Sequence, residues 1–127
     1  MIALIDYKAG NLTSVRKALT AVGAEFFTPA SAADLADARG IIVPGVGHFA
    51  ATRALDAAWV EQIRTHIADG KPVLGICLGM QWLYESSEES PELPGLGVLA
   101  GRCRKLRPGP SEERIKVPHV GWNSLDI

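Results

Sequence analysis

The side chains best suited to covalent chemistry are two cysteines and three histidines. Cys77 stands in Gly75-Ile76-Cys77-Leu78-Gly79, directly after the apolar run Pro72-Val73-Leu74 and ahead of a helix-forming segment. This is the G-x-S-x-G elbow pattern with cysteine in the serine position. The flanking glycines answer a steric need. A nucleophile on a sharp strand-to-helix turn has a strained backbone, and neighbours carrying a Cβ would crowd it. The start of the helix behind Cys77 offers free N–H groups and a positive dipole end, both of which favour a thiolate. The Leu78 N–H is expected to point towards the atom that becomes an oxyanion in acyl transfer. The competing reading of Cys77 is a small buried core residue. Its position between a strand and a helix favours the nucleophile.

A second candidate segment, Pro44-Gly45-Val46-Gly47-His48-Phe49, also follows a strand-like run. Open α/β sheets bind ligands at the carboxyl ends of their strands. A glycine-rich turn there leaves backbone N–H groups able to hold an anion. It is therefore a candidate second oxyanion donor, or else an ordinary strand-to-helix turn. Asp6-Tyr7-Lys8-Ala9-Gly10-Asn11 forms a third such edge and lacks the G-x-G-x-x-G spacing of a dinucleotide site. A thiol at neutral pH needs a base. His48 follows the glycine turn with no carboxylate placed to orient it, His66 falls inside a long helix, and His119 follows Pro118 late in the chain. None has the context of a triad base.

Alternating strand and helix signals must position these residues. Short apolar runs at 2–5, 25–28, 41–43 and 72–76 read as strands. Asn11 is placed to cap a helix carrying Leu12, Val15, Leu19 and Val22 at helical spacing, with Gly23 as its stop. Ser31 with Asp34 suggests a short capped helix. A long helix is predicted over 57–69, with Trp59, Ile63 and Ile67 on one face, and another over 78–84. Such alternation predicts a parallel sheet with helices on its faces, an α/β fold. After Glu85 the run SSEESPELPG reads as a polar surface loop. Strand candidates at 97–99, 103–106, 115–117 and 124–127 then predict a small, late antiparallel portion.

Composition narrows the function classes. The 127 residues suit one modest domain, small for a complete α/β enzyme, and 47% hydrophobic with 21% charged residues is ordinary for a globular protein. A net charge of -1 gives no footprint for nucleic acid or an anionic membrane. No apolar run reaches membrane-spanning length, and the N-terminus lacks the features of a signal peptide. Cys77 and Cys103 are isolated and in unlike contexts, which argues for free thiols in a reducing cytoplasm. No Cys/His cluster has zinc spacing, so neither metal nor cofactor is expected.

Taken together, three blocks resemble the class I, triad-type glutamine amidotransferases: Asp6-Tyr7 with Ala9-Gly10-Asn11-Leu12, Pro44 to Phe49, and Lys71 to Gln81. Within that class, Lys116-Val117-Pro118-His119-Val120-Gly121-Trp122-Asn123 looks like the glutaminase subunit of imidazole glycerol phosphate synthase. The resemblance implies a flavodoxin-like fold, mostly parallel, with helices on both faces and the small late antiparallel part. Residues 1–127 would be the N-terminal part of one glutamine amidotransferase type 1 domain. It implies that Cys77 attacks the side-chain amide of glutamine, with Leu78 and Val46 or Gly47 as backbone oxyanion donors, after a peptide flip if one is needed. Gly47, Gln81 and Glu89 match positions that hold glutamine. Asn11 and Trp122 match positions at the interface with a (β/α)₈ cyclase subunit, which receives the ammonia in a heterodimer. Read as residues alone, Gln81 is a helix-surface amide, Glu89 a solvated loop charge and Trp122 simple packing. The catalytic histidine and glutamate of the family come in a late motif resembling Phe-His-Pro-Glu, absent from this sequence, so an incomplete domain is expected. Lys8 stands where some relatives have glycine. The alternatives to a histidine-pathway glutaminase are a docking module without catalysis and a class I glutaminase of another pathway.

Overall fold

The computed structural model describes residues 1–110 and 114–126. Four strands form the main sheet: β1 (Ile2–Leu4), β2 (Phe26–Phe27), β3 (Gly40–Val43) and β4 (Val73–Gly75). They lie in the order β2-β1-β3-β4, and every neighbouring pair is parallel. The register aligns Ala3, Ile41 and Val73 in one row and Leu4, Ile42 and Leu74 in the next. Successive residues face opposite sides of a sheet, so each row has its own helices to meet. Ala3, Ile5, Ile41 and Val43 pack with Ile63 of α2 (Ala57–Ala68) and Leu78 and Trp82 of α3 (Leu78–Trp82). Leu4 and Ile42 meet Leu19, Leu12 and Val15 of α1 (Leu12–Ala21) on the other face. The predicted parallel sheet with helices on both faces is what forms.

Capping fixes where the helices begin. The Asn11 side chain accepts from the Ser14 N–H at 3.2 Å, and Asp56 does the same for Ala58 at 2.9 Å. Ser31 and Asp34 form a reciprocal capping box around a 3-10 turn at Ala32–Asp37. Val22, expected on the buried face of α1, instead sits past the last turn and is 77% exposed.

The late part of the chain departs from expectation in three ways. The helix from Leu78 ends at Trp82, and Tyr84–Ser87, expected as helix end and loop, is a strand, β5. The chain returning at 96–99 explains this, because the N–H groups of Leu96 and Gly97 take the carbonyls of Trp82 and Tyr84. Gly95 permits the approach, since a Cβ there would collide with the Tyr84 carbonyl. The small second sheet exists, but β5 pairs with β6 (Leu99–Cys103) in parallel. Its antiparallel character is confined to an isolated bridge between Ser86 and Pro94. No strand forms at 103–106 beyond Cys103, at 115–117 or at 124–126, and Ile127 lies outside the described residues.

Candidate active site

Three loops meet at the carboxyl edge of the main sheet, after β1, β3 and β4. The segment after β4 turns sharply at Cys77, whose φ of 52° lies in the left-handed region that favours glycine. The turn brings the helix back against the sheet so closely that a Cβ on Gly79 would collide with the Val43 carbonyl. A Cβ on Gly75 would meet the Met80 backbone. Both flanking glycines are thus required by the elbow, as the sequence predicts. The thiol of Cys77 is exposed, not a core side chain. With only five residues in α3, the helix behind it is shorter than expected.

The turn after β3 lies beside the elbow. The Leu78 N–H, the expected oxyanion donor, donates to the Gly45 carbonyl at 3.2 Å. That carbonyl therefore occupies the direction an oxyanion would take. Val46 and Gly47 are exposed, and Gly47 has a φ of 102°. Gly45 is enclosed. A Cβ on it would collide with the Tyr7 hydroxyl and come within 2.9 Å of Leu78 Cβ. Tyr7, from the loop after β1, is 6% exposed, and its hydroxyl makes no hydrogen bond among the described residues. Burial pushes its phenol up to about 12, with the negative charge of a Cys77 thiolate adding to the effect. It is a neutral donor at physiological pH. Sequence reasoning gave Tyr7 no role. Its only signal was a place in a loop at the same sheet edge.

Beside the same loops, Asp6 accepts from the Lys8 N–H at 3.0 Å and pairs with the Lys8 ammonium at 3.2 Å. The backbone bond to Lys8, aided by its charge, holds the Asp6 carboxyl below its ordinary value. Lys8 itself has a φ of 63°.

Gln81 and Glu89 line one cleft of about 780 Å³, together with Met80, Cys103 and His119. Cys77, Val46 and Gly47 are not among its lining residues. Glu89 is linked to the glycine turn, because its carboxylate accepts from the Phe49 N–H at 2.9 Å. Cys103 is half-buried, with its thiol directed at the Gln81 carbonyl. Burial, then the nearby Glu89 charge, pushes that thiol up, away from reactivity.

The histidines stand apart from the thiol. His48 Nδ1 accepts from the Ala50 N–H at 3.2 Å and caps a 3-10 turn. His119 Nε2 lies 3.1 Å from the Asn123 amide nitrogen. His66 is 3% exposed, packed rather than solvated. None hydrogen-bonds to Cys77 among the described residues. Of the expected interface residues, Asn11 is exposed and serves as the cap of α1. Trp122 is fully exposed, so it does not pack in a sheet, and Val120 and Leu125 beside it are 88% and 85% exposed.

Comparison with known proteins accords with this geometry. The chain is 48% identical over 126 residues to the imidazole glycerol phosphate synthase subunit HisH of Gloeobacter violaceus, covering 98% of this chain and 54% of that protein. It is 47% identical over 129 residues to the HisH subunit of Nostoc punctiforme, covering all of this chain and 59% of the relative. It is 45% identical over 125 residues to imidazole glycerol phosphate synthase hisHF of Emericella nidulans, covering 97% of this chain and 22% of the relative. The chain thus spans little more than half the length of the HisH subunits it matches. In fold it is similar to a crystal structure of a glutamine amidotransferase, with a TM-score of 0.67 at 24% identity, covering 78% of this chain and 53% of the other. The model of the CobB/CobQ-like glutamine amidotransferase domain matches residues 4–107. An elbow cysteine, a glycine turn against its neighbour's N–H and a family match over most of the chain agree, and the chain belongs to the class I glutamine amidotransferases.

Proposed function

We propose that this chain is the cysteine-bearing part of a glutaminase that supplies ammonia to imidazole glycerol phosphate synthase, in histidine biosynthesis. The observation that carries the reading is the elbow: an exposed thiol on a backbone with φ of 52°, followed by the Leu78 N–H and faced by the glycine turn. The likeness to HisH subunits supports the pathway.

In the proposed reaction Cys77 Sγ attacks the side-chain carbonyl carbon of glutamine, and the carbonyl oxygen gains the negative charge. Collapse of that intermediate expels ammonia, which carries off a proton, and leaves a thioester. Water then attacks the thioester and releases glutamate. Leu78 N–H and an N–H of Val46 or Gly47 would hold the oxyanion at both stages. In the present arrangement Leu78 N–H is taken by the Gly45 carbonyl, so the Gly45–Val46 peptide must turn before catalysis. Gln81, Glu89 and Gly47 would hold the glutamine. Glu89 would also couple the substrate to the glycine turn through its bond to Phe49. The base and its orienting carboxylate would come from the late Phe-His-Pro-Glu motif that the resemblance implies. The partner is a cyclase subunit in a heterodimer, met at Asn11 and at the exposed Trp122, and the setting is the cytoplasm. No helix among the described residues is long and apolar enough to cross a membrane.

The test is glutamine hydrolysis by the full-length gene product with saturating cyclase. Cys77→Ala should lower ammonia release by about three orders of magnitude or more. Hydrolysis that survives this substitution would remove Cys77 from the reaction and overturn the proposal.

A further inference from the structure

We infer that Tyr7 is a positioning residue for the oxyanion site: its hydroxyl takes the Gly45 carbonyl when that carbonyl leaves the Leu78 N–H. The inference rests on the glutaminase reading above and adds to it the group that makes the turned arrangement stable.

Four observations converge. The Gly45 carbonyl holds Leu78 N–H at 3.2 Å, at the long end for such a bond. The Tyr7 hydroxyl is closed to solvent and has no hydrogen-bond partner among the described residues, an arrangement that native proteins avoid unless it has a use. That hydroxyl sits over Gly45 Cα on the side a Cβ would occupy, since a Cβ there would collide with it. Finally, the Gly10 backbone lies close against Gly45, because a Cβ on Gly10 would lie 3.4 Å from Gly45 Cα. Rotation about the Cα–C bond of Gly45 carries its carbonyl oxygen along an arc around that Cα. Leu78 N–H lies at one point of the arc, and the Tyr7 O–H lies beside another. The absence of a side chain at Gly45 is what lets the Tyr7 hydroxyl come this close to its backbone. One acceptor thus has two candidate donors, and only one of the two positions leaves Leu78 N–H free. With the carbonyl on Leu78 the buried hydroxyl is unsatisfied. With the carbonyl on Tyr7 the hydroxyl is satisfied, and Leu78 N–H can serve the oxyanion. An unpaired buried donor is costly, and this cost biases the turn towards the catalytic arrangement once substrate draws Leu78 N–H away.

The test uses glutamate γ-semialdehyde on the full-length protein with its cyclase. The Cys77 thiol adds to the aldehyde: a carbon–sulfur bond forms, the carbonyl π bond breaks, and the thiol proton ends on the oxygen of the hemithioacetal. That oxygen occupies the oxyanion position and needs no base for turnover. Alkylation of Cys77 by iodoacetamide runs alongside, because it needs no oxyanion donor. Tyr7→Phe keeps the ring and removes only the hydroxyl. It should weaken aldehyde binding and lower kcat for glutamine by roughly fivefold, the worth of one neutral hydrogen bond. It should leave glutamine KM and the alkylation rate unchanged, and the melting temperature should hold or rise, since the resting fold loses an unpaired buried hydroxyl. Equal aldehyde affinity and equal kcat in the two proteins would overturn the inference. So would a parallel fall in alkylation, which would mean that Tyr7 only packs the site. If the wild-type protein fails to capture the aldehyde on Cys77, the glutaminase reading itself falls and takes this inference with it.

Discussion

Two residues, Lys8 and Cys77, carry side chains where the backbone favours none, with φ of 63° and 52°. Left-handed backbone costs an L-residue roughly 1–2 kcal/mol relative to glycine. At Lys8 the Asp6 carboxylate bonds both the backbone N–H and the ammonium, but the ammonium is exposed and that ion pair contributes little. At Cys77 the exposed thiol makes no hydrogen bond among the described residues, so its side chain does not offset the strain. Replacing either residue with glycine should therefore raise unfolding free energy by about 0.5–1 kcal/mol in urea denaturation, after the extra chain entropy of glycine is subtracted. The alanine variants at both sites should show no such gain. Under the proposed function the outcomes should diverge, with Lys8→Gly retaining glutamine hydrolysis and Cys77→Gly losing it. A Cys77→Gly protein no more stable than Cys77→Ala would mean that the elbow is unstrained.

At the scale of elements, α1 and α2 are held at their ends and along one face. Asn11 caps α1, so Asn11→Ala should cost about 1 kcal/mol of stability whatever it does to partner binding. Separating the two effects requires a denaturation curve beside a cyclase titration. Near the end of α2, His66 is buried, and burial, followed by the nearby Lys71 charge, lowers its pKa. The Pro72 carbonyl and Asp69 oppose this more weakly. The folded-state value thus lies below the unfolded value of 6.5, so the unfolded chain binds the proton more readily. The contribution is in place above pH 6.5 and is lost as the pH falls from there through the lower folded value. Unfolding free energy followed between pH 7.5 and about 5 should decline in the wild type and decline less in His66→Phe. Equal slopes would show that His66 ionises freely in the fold. The sheet and its helices were legible in the sequence because each has a local period and a local stop, such as Asn11 and Gly23 around α1. The route of residues 83–103 was not. There the helix ends where the N–H groups of Leu96, Val98 and Gly97 take the carbonyls of Trp82, Leu83 and Tyr84, a long-range contact with no local signature. In the site, Cys77 and its glycines were legible because the elbow is a local steric requirement. The occupation of Leu78 N–H by Gly45 and the burial of Tyr7 were not, because both arise only where three loops meet.

The whole molecule is asymmetric. Among the described residues, β4 pairs on one side only, with β3, and is an edge of the sheet. On the face where α1 covers Leu4 and Ile42, Leu74 of β4 is 56% exposed. Ile76, two residues further along the chain, is 36% exposed. A parallel strand exposed along an edge and on one face is an invitation to pairing. A polypeptide of residues 1–127 alone should therefore self-associate at micromolar concentration, seen as a concentration-dependent shift in sedimentation velocity. Leu74→Lys should suppress that association, because a charge on an edge strand blocks stacking and pairing, at little cost to a site already half open to water. By contrast, Leu4→Lys, two strands further in on the same face and fully buried, should unfold the sheet. A 1–127 polypeptide that stays monomeric and melts cooperatively would show that α1 and the short second sheet suffice to close the fold. The exposed row at β4 would then be surface rather than an unfinished interface.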